Sequence, residues 1–186
     1  LFLNFSMVDP QGDPDTIRRS LFHHLNIRIK EAIARYQDHL DDRVDIEPDD
    51  GIASFQSLTS AVSQTPHKLY VMVDEYDNFA NEVMISPLHG TNRYQELVQG
   101  EGTIKTFFKV VKAGAEGRGI DRTFLTGVSP VVLSDITSGY NVAKDLTHLD
   151  EYYDLCGFTA NELADALAGV LAIRSLPDEA ASEILD

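Results

Sequence analysis

The sequence predicts an α/β fold: a parallel sheet held between two helical layers, three layers in all, with a helical segment at the C-terminal end. Three observations predict it. Leu69-Tyr70-Val71-Met72-Val73 is an unbroken apolar run, the composition of a strand buried on both faces under helices. Two further strand-like segments, Leu1–Phe5 and Ile120–Leu125, stand before and after it, separated from it by helical patterns. Strand, helices, strand, helix, strand is the order of a parallel sheet with crossover helices.

The elements follow in order. The chain opens on Leu1-Phe2-Leu3-Asn4-Phe5, which reads as a buried strand with no Met or leader before it. The expectation is a fragment, or a chain whose earlier part lies outside the sequence. Asp13-Pro14-Asp15 marks a helix start, with Asp as N-cap, Pro at the first helical position and an acid in the first turn. Ile17, Leu21, Leu25, Ile29, Ile33, Tyr36 and Leu40 then form one helical stripe. Arg18, Arg19, Arg28, Lys30 and Arg35 fall mostly off it and are read as a solvated face. After an acidic loop, Ile52, Phe55, Leu58 and Val62 form the inner face of a shorter helix, and Pro66 stops the chain before the Leu69 run. Asn78 to Gly100 reads as an irregular excursion with a short helix near Tyr94–Leu97. Thr103 to Ala115 is helical, with Ile104, Phe107, Phe108 and Val111 inward. Gly114, Gly117 and Gly119 end it. They do not read as a phosphate loop, because they follow a helix and precede a strand. The region from Val131 to Leu149 is loop-like. Thr159 with Glu162 three residues on makes a capping box, opening a helix with Leu163, Ala166, Leu167, Val170 and Leu171 on its inner face. Pro177-Asp178 starts a last helix. The expected division is an α/β core over 1–150 and the start of a helical subdomain over 151–186.

Composition narrows the function classes. Among 186 residues the net charge is −15. From Asp145 to Asp186 ten acidic residues face a single basic one, Arg174. Such a surface repels nucleic-acid phosphates, yet it permits a nucleotide held by backbone N–H groups, a lysine and Mg²⁺. No apolar run approaches the ~20 residues of a membrane span. The one cysteine, Cys156, excludes an internal disulfide and a multi-cysteine zinc site, and reads as a small core residue. An intracellular setting, cytoplasmic or nuclear, is expected. The six His residues show no ligand spacing, and His23 and His24 point to different sides of a helix.

The candidate chemistry sits at strand ends. The apolar run closes in Asp74-Glu75-Tyr76-Asp77, at the C-terminal edge where open α/β sheets bind ligands. An apolar strand ending in Asp-Glu is the Walker B pattern, in which Asp helps hold Mg²⁺ and Glu polarises the attacking water. A strand leaving the core through a polar turn reads the same way. The third strand ends in Thr126-Gly127-Val128-Ser129-Pro130. If the two strands are neighbours, their tips lie ~5 Å apart. Asp74 is then the expected metal ligand, Glu75 orients the water, and Thr126 bonds that water or the γ-phosphate. Ser129 is a further nucleotide contact. A turn hydroxyl bonding its own backbone is the plainer reading of Thr126.

Together, Tyr70–Asp77, Phe124–Pro130, Ser138-Gly139-Tyr140-Asn141 and Leu155–Glu162 resemble the predicted AAA-ATPase-like family. The resemblance covers roughly Leu1 to Leu171. It implies a P-loop NTPase fold of the ASCE type, with ATP and Mg²⁺ as cofactors. One departure is plain: no G-x-x-x-x-G-K-[ST] occurs, and no Gly is followed by Lys. The family's phosphate loop lies just before the strand that begins here with Leu1, so the sequence reads as the family without its Walker A region. The missing cradle and lysine predict weak or absent ATP binding and no turnover by this chain alone, at ~1.5–3 kcal/mol per charge-assisted hydrogen bond. The family's first strand, missing with that region, would lie beside Thr123–Leu125, so an open sheet edge is expected there.

Three functions compete. The first is an ATPase domain, active in a longer chain. The second is a pseudo-ATPase or interaction module, with a protein or a second copy as partner. The third is a metal-dependent nuclease using Asp74, Glu75 and Asp77, for which no strand carries an E-x-K. Arg118 and Arg122 read as surface residues, with an arginine finger as the sharper alternative.

Overall fold

The computed structural model describes residues 1–9, 11–40, 43–77, 102–128, 143–153, 155 and 157–174. The chain divides into two compact units, Leu1–Val142 and Ala143–Asp186. No helix among the described residues is long and apolar enough to cross a membrane.

The first unit is an α/β layer structure. Strand β1 (Phe2–Asn4) leads through a 3-10 turn to helix α1 (Pro14–Tyr36). Helix α2 (Gly51–Ser63), strand β2 (Leu69–Asp74), helix α3 (Thr103–Ala115) and strand β3 (Ile120–Leu125) follow. The sheet order is β1-β2-β3 with both pairs parallel. Phe2, Leu3 and Asn4 face Met72, Val73 and Asp74, and Met72 and Val73 face Phe124 and Leu125.

The helices start where the capping residues place them. The Asp13 carboxylate accepts the Thr16 N–H at 2.7 Å, with Pro14 following it. Those bonds, chiefly from the Thr16 backbone, hold the Asp13 carboxyl below the ordinary carboxylate range. Asp50 does the same for α2, accepting from Ile52 and Ala53 at 3.0 Å each. The side-chain amide of Asn26 donates to the Glu47 carbonyl at 2.9 Å, tying α1 to the loop that leads into α2. The α1 stripe is buried at Ile17, Leu21, Leu25 and Ile29. It gives out toward Tyr36, which is exposed, and the chain tightens into a 3-10 turn at Gln37–His39.

The core lies on one side of the sheet. Leu3, Val71 and Val73 pack in one cluster with Leu21, Leu25, Phe55, Ile104, Phe107 and Phe108 from all three helices. Phe107 sits between Phe5, Phe55 and Phe108, its ring centroid 5.4–5.8 Å from theirs. The expectation of a strand buried on both faces is therefore corrected. Along β2, Val71 and Val73 are buried while Tyr70 and Met72 are 57% and 43% exposed. The reason is topological. Right-handed crossovers between strands added in one direction place every helix on the same face, and the order β1-β2-β3 never reverses. The described residues thus form two layers, not three. Phe2, Met72 and Phe124, aligned by register, form an exposed apolar row on the other face.

The second unit holds a 3-10 turn at Asp150–Tyr152 and helix α4 (Ala160–Arg174). The capping box forms as read: Glu162 accepts from the Thr159 N–H and hydroxyl at 2.8 Å each, and Thr159 accepts from the Glu162 N–H at 3.3 Å. The expected inner face is not closed. Leu171 is buried, but Leu163 and Val170 are exposed, so the sequence stripe marks an apolar face rather than a covered one. The readings of Tyr94–Leu97, Ser138–Asn141, Cys156 and the helix from Pro177 lie outside the described residues.

Candidate functional site

Strand β2 ends at Asp74 because the backbone turns there. Glu75 adopts φ +53°, a left-handed conformation unusual for a residue with a side chain. Its N–H donates to Asp74 Oδ1 at 3.1 Å. The chain then re-enters the core, with Tyr76 and Asp77 buried. Asp74 and Glu75 are half-buried at the sheet's C-terminal edge.

The tip of β3 stays joined to that of β2. Thr126 N–H donates to the Val73 carbonyl at 2.9 Å, and Tyr76 N–H donates to the Thr126 carbonyl at 3.2 Å. The Thr126 hydroxyl donates to Asp74 Oδ1 at 2.5 Å. That oxygen thus accepts both a hydroxyl and the Glu75 amide. The expected juxtaposition of Asp74 and Thr126 on neighbouring strand tips is present, and the plainer reading of Thr126 as a hydroxyl bonding only its own turn is set aside. Ser129 lies outside the described residues.

Two features had no clear sequence signal. Asp77 is 2% exposed, and its Oδ2 accepts the Val128 N–H at 3.0 Å. Gly127 presses against the same wall: a Cβ there would lie 2.5 Å from Asp77 Oδ1 and 2.6 Å from Tyr76 Cε1. Glycine directly after a strand is the only hint of this close approach that the sequence carries. The left-handed turn at Glu75 leaves no trace in residue type, since glycine or asparagine would have been expected.

Arg118 and Arg122 are both exposed, and Arg122 pairs with Asp121 at 3.7 Å. His23 is exposed and His24 buried, on different sides of α1. Among the described residues no group of three or more His, Cys, Asp or Glu gathers to cage a metal by itself.

The arrangement can orient one carboxylate at a strand tip, with a second beside it and a hydroxyl opposite. Comparison with known proteins places the chain in a family. No curated protein and no solved structure matches the chain. Residues 1–137 match the family described as Predicted AAA-ATPase. That span carries the three described strands and both strand tips, and the chain belongs to this AAA-ATPase-like family.

Proposed function

We propose that this chain carries the magnesium- and water-handling half of an ATPase site, on a P-loop NTPase fold of the ASCE type. Asp74 is the metal ligand, Glu75 orients the hydrolytic water, and Thr126 either holds Asp74, leaving its oxygen to accept from the water, or turns its one proton to the γ-phosphate. Ser129 would add a nucleotide contact. The observation that carries the proposal is the 2.5 Å bond between Thr126 and Asp74 across neighbouring strand tips. A parallel sheet delivering these groups at its C-terminal edge supports it.

The backbone at Glu75 supports it further. A residue with a Cβ in the left-handed region costs about 1–2 kcal/mol relative to the right-handed one. Strain of that kind persists where the side chain is needed. Glycine would remove the strain and also the carboxylate.

The residues fit magnesium. The ion takes hard oxygen ligands, using one or two carboxylates and drawing the rest from phosphates and water. Asp74 offers such an oxygen: Oδ1 is occupied by Thr126 and Glu75, and Oδ2 is not spent on either bond. Bound there with ATP, magnesium supplies charge neutralisation at the triphosphate. Glu75, half-buried and next in sequence to Asp74, would accept a hydrogen bond from the water and fix its approach.

Without a G-x-x-x-x-G-K-[ST] in the sequence, these 186 residues alone should bind Mg-ATP weakly or not at all. Calorimetry checks this, and a micromolar dissociation constant would overturn it. The role of Glu75 is tested by Glu75→Gln in a longer form of the protein that hydrolyses ATP. Binding should persist while turnover is lost; turnover by the variant removes Glu75 from the role.

A second reading, a pseudo-ATPase serving as an interaction module, is favoured by the exposed row Phe2, Met72 and Phe124. Sequence upstream of Leu1 decides between the two. A phosphate-loop motif there supports the ATPase, and its absence supports the module.

A further inference from the structure

We infer that Asp77 is the positioning residue of this site: it pins the loop after β3 so that the Thr126 hydroxyl meets Asp74. The inference rests on the proposed reading of Asp74 and Thr126, and it adds a residue that touches neither metal nor nucleotide.

A carboxylate taken out of water is costly unless hydrogen bonds compensate it. Asp77, 2% exposed, accepts the Val128 N–H. One of the bonds that compensates the burial of that acid thus comes from a backbone group of the opposite loop. The Val128 side chain is 93% exposed, so its own packing contributes little to holding that loop.

Gly127 shows how tightly the loop is held. Its Cα faces Asp77 Oδ1 and the Tyr76 ring with no room for a Cβ. A side chain there would have to displace the buried Asp77 carboxylate and Tyr76 ring or lift the loop away from β2. Thr126 therefore lies between two anchors. On one side its backbone pairs with Val73 and Tyr76. On the other, Val128 is bonded to Asp77.

Threonine makes this anchoring matter. It is β-branched and stiff at χ1, so the direction of its hydroxyl follows from where its backbone sits. The bond to Asp74 then depends on the backbone on both sides of Thr126 being held. The chain Asp77–Val128–Gly127–Thr126–Asp74 closes a ring between the two strand tips, with the strained Glu75 inside it.

The test is NMR on this chain with labelled threonine methyls and backbone amides. In the wild type, Asp74→Asn should move the Thr126 methyl resonance. In an Asp77→Asn background the same substitution should barely move it, and the Val128 amide should exchange roughly tenfold faster, as expected for loss of a charge-assisted bond. The Val71 and Val73 amides serve as the fold control. Gly127→Ala is the second variant. It keeps the Asp77 carboxylate but crowds its contact with the loop, and should uncouple Thr126 from Asp74 in the same way. A full Thr126 response to Asp74→Asn in either folded background overturns the inference. Millimolar Mg²⁺ reads the underlying proposal separately. A wild-type chain whose Glu75 and Thr126 signals ignore Mg²⁺, with the Asp77-dependent coupling intact, counts against the metal role of Asp74 and leaves the positioning role standing.

Discussion

Thr126 donates its hydroxyl to Asp74 Oδ1 although 52 residues separate them, so the two strand tips are joined by a side chain as well as by backbone. Thr126→Val keeps the shape and removes the donor. The loss should cost about 1 kcal/mol, the net worth of an ordinary hydrogen bond, discounted because Asp74 is only half-buried. Urea denaturation checks this. In a hydrolysing form of the protein, turnover should fall more steeply than stability.

Glu75 offers the opposite signature. Glu75→Gly relieves the left-handed strain, worth about 1–2 kcal/mol, against roughly 0.5–1 kcal/mol of extra chain entropy. Stability should stay level or rise by up to ~1.5 kcal/mol, while hydrolysis disappears. A variant that is more stable and inactive separates a functional side chain from a structural one. Thermal unfolding and turnover measured on the same sample decide it.

The α1–α2 contact predicts an ordering of glycine variants. A Cβ at Gly51 would lie 2.8 Å from the Phe22 Cα and carbonyl oxygen, which are backbone and cannot turn aside. Gly51→Ala should destabilise by about 1–3 kcal/mol through overpacking, despite alanine's better helix propensity. At Gly114 the nearest atom is the Ile120 Cδ1 tip, which can rotate. Gly114→Ala should cost less, and equality of the two midpoints in urea would refute the ordering.

His24 sets a pH dependence. Its side chain is buried, and Nε2 has no hydrogen-bond partner. Burial lowers its pKa below the ordinary value, and the neighbouring Arg28 charge adds to this, while Glu31 opposes it. The unfolded chain therefore takes up a proton that the native state refuses. Stability is full above about pH 6.5 and falls as pH drops through it, by at most ~1.4 kcal/mol per pH unit. His24→Leu should flatten that part of the profile. Asp13 and Glu162, whose carboxyls are lowered by hydrogen bonds from Thr16 and Thr159, lose their contributions only at more acidic pH. The two windows can be told apart.

Much of this was readable in the chain because local chemistry set it. Asp13-Pro14 and Thr159 with Glu162 are caps whose partners lie within one turn. The strand Ile120–Leu125 and the helix Thr103–Ala115 run as their patterns say. The meeting of Asp74 and Thr126 was readable too, because a parallel order brings strand ends together. What stayed hidden depends on faces and on contacts distant in sequence. Tyr70 and Met72 are apolar, yet nothing in residue type says on which side of a sheet they lie or whether a helix covers that side. The bond from Val128 to Asp77 spans 51 positions and joins a backbone group to a carboxylate that a turn could equally have exposed. The Glu75 turn runs against its own residue preference, the sort of local conflict that gathers at working sites.

The uncovered row of Phe2, Met72 and Phe124 has a consequence for how the molecule behaves in solution. An apolar stripe on a twisted sheet invites another such stripe, and a net charge of −15 keeps two copies at arm's length. Salt shortens the reach of that repulsion to about 10 Å at 0.1 M and leaves the attraction between greasy faces intact. Rising ionic strength should therefore draw the isolated chain into clusters instead of dispersing it, and dilute buffer is where it stays apart.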